Sequence, residues 1–195
     1  MIIGITGRSG AGKSYVSEIL AKKLDLVHID IDKISHEVLT FPETINFLQT
    51  EFGEQIFEDN QLQRKKLGKI VFNNPDQLIK LNNFCQIQIE KRLDEIISTA
   101  NKSLILDYAL LWKLKQFNAC DIKILLKADF DTRFSRVSKR ENISREYFQS
   151  RDSSLEEFEN MKFDYVFNNI NSHEIEKLTL MLQSQKEQLW LENPL

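Results

Sequence analysis

Residues 2–14 read IIGITGRSGAGKS. The apolar run IIGIT (2–6) has the character of a buried strand. The stretch that follows holds Gly7, Gly10 and Gly12, three of the six glycines in the whole chain. GRSGAGKS (7–14) fits the pattern G-x-x-x-x-G-K-[ST], which between a strand and a helix forms a phosphate cradle. Glycines let the backbone curl so that successive N–H groups point at phosphate oxygens. The helix that follows turns its positive end toward the same anion. Lys13 can reach the β- and γ-phosphates of ATP, and Ser14 can ligate Mg²⁺. Gly7, Arg8, Ser9, Gly10, Ala11, Gly12, Lys13, Ser14 and Tyr15 are therefore the candidate nucleotide-binding residues.

Outward from the cradle, four more apolar runs follow: LVHI (26–29), LILD (104–107), IKILL (122–126) and DYVF (164–167). They are continuous rather than alternating, as in a parallel sheet covered on both faces. Helical patterns lie between them. Val16, Ile19, Leu20 and Leu24 keep helical spacing after Gly12. Asn74 and Pro75 suit the cap and first position of a helix running to Ala100, with Leu78, Leu81, Cys85, Ile89, Leu93 and Ile96 on its apolar face. A last helix follows Ser172, with Ile175, Leu178, Leu182 and Leu189 turned inward. Alternating strands and helices predict an α/β fold with five mostly parallel strands. Residues 32–102 break the alternation and read as helical throughout. That is far longer than a crossover needs, and it predicts an inserted helical subdomain. A smaller charged excursion over 130–163 predicts a lid. The whole is one domain, with its core in 1–31, 103–129 and 164–195.

Composition narrows the classes. The formal net charge of −3 gives no support for a nucleic-acid or membrane-surface role. No apolar run is long enough to cross a bilayer. Met1 leads directly into the first strand without a signal peptide, and the two cysteines, Cys85 and Cys120, lack metal-ligand spacing. A cytoplasmic chain with reduced thiols is the expectation. Oligomeric state is not legible.

The cradle serves GTPases, ATPases and kinases alike. None of the six glycines has an aspartate three residues before it, and NKSL (101–104) lacks the acid of a guanine-specifying motif, which argues against a GTPase. HIDIDKISHEV (28–38) ends the second run, where Asp30 and Asp32 emerge at the strand's C-terminal end. A kinase needs a carboxylate to accept or orient the attacking hydroxyl's proton. Asp32 suits that role or a helix N-cap equally, and His36 lies one turn later on the same face. Asp107 ends the strand LILD in the manner of a Walker B acid, or simply starts a turn. Phe130, Phe134 and Val137 form one helical stripe, and Arg133, Arg136 and Arg140 a second, with Arg145 just beyond. Arginines suit phosphate and a charge-spread transition state, so the stripe reads as a lid face over ATP. Taken singly, each arginine reads better as a surface residue paired with Asp131, Glu141 or Glu146; the lid reading belongs to the cluster as a whole.

Taken together, GITGRSGAGKS, HIDIDKISHEV, FGEQIF, QLQRKKLGKIVF, LILDYALLW, RVSKRENISRE and DYVFNN, in that order, resemble the dephospho-CoA kinase family over residues 3–169. The resemblance implies a P-loop kinase that uses ATP and Mg²⁺ to phosphorylate the ribose 3′-hydroxyl of dephospho-coenzyme A. It implies Asp32 as the base, with Lys13 and Arg140 near the transferred phosphate. His36, Arg64 and Asp107 fall on the acceptor side, and Asn169 near adenine. Segment 32–102 resembles the family's acceptor-binding part.

The chain also departs from the family pattern. Cys85-Gln86 replaces His-Pro, Ala109 a proline, and Lys113 a glutamate. Arg8 stands where glycine is common, and Asp152 and Ser153 fall nearest the family's lid glutamine. These departures keep two alternatives open: a kinase of another nucleoside or nucleotide, and a nucleotide-binding protein without turnover.

Overall fold

The computed structural model describes residues 1–59, 61–153, 161–168 and 170–192, and side chains as far as residue 187. Leu189, expected to face inward, and Asn169, expected near adenine, lie outside those described side chains. Along the chain run β1 (Ile2–Thr6), α1 (Lys13–Leu24), β2 (Val27–Asp30), α2 (Ile31–Glu37), α3 (Pro42–Phe52), β3 (Phe57–Glu58), β4 (Gln61–Leu62), α4 (Arg64–Val71) and α5 (Pro75–Thr99). Then come β5 (Leu104–Asp107), β6 (Ile122–Lys127), α6 (Phe130–Glu141), α7 (Arg145–Ser153), β7 (Tyr165–Asn168) and α8 (Ser172–Glu192).

The chain divides into two compact units, Met1–Asp30 with Ala100–Leu195, and Ile31–Thr99. In the first, five strands pair in parallel in the order β2-β5-β1-β6-β7. The strand next to the cradle, β1, is central, with Ile3 opposite Ile105 on one side and Ile122 on the other. Its continuous apolar character follows from cover on both faces. On one face, Val16, Leu20 and Leu24 of α1 and Ile175, Leu178 and Leu182 of α8 join Ile3, Ile5, Ile105 and Ile124 in one core. Each such side chain contributes about 1.5–3 kcal/mol by leaving water. Because all five strands run the same way, Thr6, Asp107, Asp30 and Lys127 end on one edge of the sheet. That edge is where open α/β sheets bind ligands.

The second unit is mainly helical, with its own core of Leu48, Phe52, Ile56, Leu67 and Val71. Phe47 of α3 stacks on Phe84 of α5 at a centroid distance of 3.9 Å. Asn74 caps α5, accepting a 3.2 Å hydrogen bond from the Gln77 N–H. On α5, Ile89 and Leu93 are buried, and Leu78, Leu81, Cys85 and Ile96 half-buried. The expectation of helix throughout 32–102 misses the short antiparallel pair β3–β4. Two-residue strands are too short to leave an alternating pattern.

Candidate active site

The cradle is built by backbone conformations that side chains resist. Gly7 has φ +148° and Gly10 φ +82°. A Cβ on Gly7 would stand 2.1 Å from the Leu126 carbonyl oxygen, and one on Gly10 2.6 Å from that of Arg133. The Ala11 N–H closes a tight turn onto the Arg8 carbonyl at 3.1 Å. The helix α1 then begins at Lys13, and its N-cap, Gly12, has no side chain with which to cap it. A helix start of this kind suits an anion. Lys13 is only 9% exposed, beside this end. Ser14 and Tyr15 are exposed. Tyr15 also lines a cleft of about 510 Å³ with Ile19, Lys22, Lys23, Ser172 and Ile175.

Beside the cradle, Asp107 ends β5, opposite Ile5 on one side and Asp30 on the other. It is 3% exposed, and the His28 ring Nε2 lies 3.3 Å from its Oδ2. Sequence reasoning did not single out His28. Its signal is a polar residue two positions before Asp30, on the same face of the strand. The turn after Asp107 is tied back to β1: Thr6 Oγ1 donates to the Ala109 carbonyl at 3.1 Å. Lys113 lies over the Trp112 ring at 4.9 Å.

The arginine stripe does not act as one face. Arg133 is 6% exposed and turned into the protein. It donates to the Ala128 carbonyl at 3.1 Å and grips both carboxylate oxygens of Asp152 at 2.6 and 2.7 Å. Arg136 Nη1 donates to the Gly10 carbonyl at 2.9 Å, which joins α6 to the cradle. Arg140 is exposed and paired with Glu141, which Arg151 also reaches at 2.8 Å. Burial opposes ionisation of Glu141, but these two arginines outweigh it and hold its carboxyl below the usual range. Arg145 bonds Asp131 at 2.6 Å and lies over Phe130 and Phe134 at 4.9 and 5.4 Å. The expectation of a single phosphate-facing stripe is thus corrected for Arg133. Its partner, Asp152, lies nineteen residues away in sequence, beyond the reach of helical spacing.

In the helical unit, α2 begins at Ile31, so Asp32 is its second residue and not its cap. Asp32 and His36 are exposed, one turn apart. Arg64 is the first residue of α4 and is exposed. Cys85 is half-buried, and burial pushes its thiol up to about 11. Gln86 donates to Glu90 at 2.9 Å within α5.

Among the described residues, no three His, Cys, Asp or Glu side chains cluster as a metal site. Mg²⁺ that arrives on a nucleotide needs only one or two protein ligands, so the cradle's Ser14 and the acidic strand ends fit that mode. No described helix is long and apolar enough to cross a membrane.

A five-stranded parallel sheet, a glycine cradle between β1 and α1, and a lysine buried at the helix start define a nucleotide-binding protein of the P-loop class. Comparison with known proteins agrees. A family model described as dephospho-CoA kinase matches residues 1–174. A dephospho-CoA kinase of Carboxydothermus hydrogenoformans is 33% identical over 97% of this chain and 96% of its own. That of Fusobacterium nucleatum is 35% identical over 75% and 76%. Among solved structures, the dephospho-CoA kinase of Campylobacter jejuni superposes with TM-score 0.68 at 25% identity, over 95% of this chain and 98% of its own. Shikimate kinase of Bacteroides thetaiotaomicron shares the fold at TM-score 0.57 and 20% identity, over 96% and 98%. The chain belongs to the dephospho-CoA kinase family.

Proposed function

We propose that this kinase transfers the γ-phosphoryl group of ATP to the ribose 3′-hydroxyl of dephospho-coenzyme A, giving coenzyme A and ADP. The carrying observation is a complete phosphate cradle, with Lys13 buried at the start of α1, in a chain that matches this family over residues 1–174. The backbone of Gly7 to Ser14 holds the phosphates, and Lys13 neutralises charge on the transferred group. Ser14 would hold Mg²⁺ arriving on the nucleotide, with Asp107, held by His28, in support, and the ion would supply further charge neutralisation at the phosphates.

Asp32 accepts or orients the proton of the acceptor hydroxyl, and its exposure on α2 leaves the carboxylate accessible to a substrate. Arg64, also exposed, contributes positive charge to the anionic acceptor, and the exposed His36 ring offers it a hydrogen-bonding group. Arg140 gives up Glu141 for the transition state. Tyr15 and its cleft suit the base of ATP, toward which Asn169 also belongs. Positioning and electrostatics supply most of the rate, because phosphoryl transfer asks little covalent chemistry of the protein. The cytoplasm is the proposed location. Cys120 fits it, since burial pushes its thiol up to about 12 and keeps it unreactive.

A different acceptor is the second reading, motivated by Cys85, Gln86, Ala109 and Lys113. An acceptor screen at equal concentrations separates them. Dephospho-coenzyme A should exceed nucleosides and nucleotides in turnover, and preference for another acceptor would overturn the assignment.

A further inference from the structure

Arg8 ties the cradle to α7. Its Nη1 donates to the main-chain carbonyl of Asp152 at 2.7 Å and lies 3.3 Å from that residue's carboxylate. Asp152 lies on α7, so this charge-assisted contact fastens that helix to the turn of the cradle. The contact is largely shielded, with the two side chains 22% and 12% exposed, so water competes for it less than for a surface pair. Arg8 is at the same time part of the cradle's turn, since its carbonyl accepts the Ala11 N–H. The other side of Asp152 is fixed to the buried Arg133, whose backbone lies against Gly10.

We infer that Arg8 is a positioning residue that seats α7 on the phosphate cradle through Asp152, so that ATP affinity and the order of α7 around Asp152 are linked. Phosphate bound in the cradle fixes the backbone of residues 7–12, and with it the root of the Arg8 side chain. The Arg8 contacts to Asp152 then lose less freedom on forming. The linkage is reciprocal: seating α7 strengthens ATP binding by the same factor. This rests on the cradle being the ATP site, but not on which acceptor is used.

The test uses the full chain without any acceptor. Amide exchange over residues 148–153 is measured with and without Mg-ATP, and ATP affinity is measured by titration, for Arg8→Gly and Arg8→Lys. In Arg8→Gly, exchange over 148–153 should quicken about tenfold and ATP should bind more weakly by about three- to tenfold. ATP should slow that exchange in the parent chain and not in Arg8→Gly. Arg8→Lys keeps a donor and a charge and should recover most of both effects. Unchanged exchange in β1 and β5 marks a folded variant, and Arg8→Gln replaces Arg8→Gly if the latter does not fold. Weaker ATP binding with normal α7 exchange would mean that Arg8 acts on phosphate directly and would overturn the inference. Faster exchange with normal ATP affinity would reduce the contact to a local one and overturn it too, as would no change in either. Because no acceptor takes part, an error in the acceptor assignment leaves this result standing.

Discussion

The guanidinium of Arg133 and the carboxylate of Asp152 form two parallel hydrogen bonds, 2.6 and 2.7 Å, that join α6 to α7. Neither group is left with much solvent, at 7% and 12% side-chain exposure. Hydrogen bonds from Arg133, opposed by burial and reinforced by the charges of Arg133 and Arg8, hold the Asp152 carboxyl below its ordinary 3.8. Arg133→Met removes one partner and leaves a shielded carboxylate, which should cost about 2–4 kcal/mol in denaturant unfolding.

The same pair has a pH signature. The Asp152 contribution is fully present above pH 3.8, its unfolded value, and is lost as pH falls through the lower folded value. Stability of the parent chain should therefore fall more steeply below pH 4 than that of Arg133→Met. Parallel acid curves would remove Asp152 from the pH dependence.

Gly10→Ala tests the cradle's construction. It forces φ +82° on a residue with a Cβ and drives that atom into the Arg133 backbone. Destabilisation of about 1–3 kcal/mol is expected, with loss of ATP binding, in thermal unfolding and titration.

Arg140 separates function from stability. It is 64% exposed and paired with Glu141 on the surface, so Arg140→Ala should change stability by less than about 0.5 kcal/mol. If it stabilises the transferred phosphoryl group, kcat should fall about 10²-fold. An unchanged kcat would return it to the surface pair seen here.

Asp32→Asn keeps shape and removes the base. Turnover should fall about 10²–10⁴-fold with ATP affinity unchanged. Full activity would remove Asp32 from the mechanism.

The sheet and the cradle were legible because their causes are local. Continuous apolar runs such as IIGIT record cover on both faces, and Gly7 and Gly10 record backbone conformations that a side chain could not take. The second strand is shifted by one residue, so that Asp30 closes β2, whereas LILD ends at Asp107 as expected. The arginines over 133–145 were legible as a cluster but not as individuals. Spacing of three and four puts Arg133, Arg136 and Arg140 along a helix, but only tertiary partners decide their uses. Arg133 meets Asp152, Arg136 meets Gly10, and Arg140 meets its neighbour Glu141. His28 was missed for the same reason, since its partner Asp107 is brought beside it only by strand pairing. Two of the three acids expected to pair with lid arginines do so, Asp131 and Glu141. Glu146 instead has its carboxyl lowered chiefly by its own backbone N–H and by Ser144.

The most direct measurement is ADP release by the purified chain with Mg-ATP, with and without dephospho-coenzyme A, and the product identified by mass. ADP should appear only with the acceptor, in step with coenzyme A, and Lys13→Ala should lower the rate at least about 10²-fold. Chain that binds ATP yet releases no acceptor-dependent ADP would contradict the assignment, and would point to the changed residues Cys85, Gln86, Ala109 and Lys113.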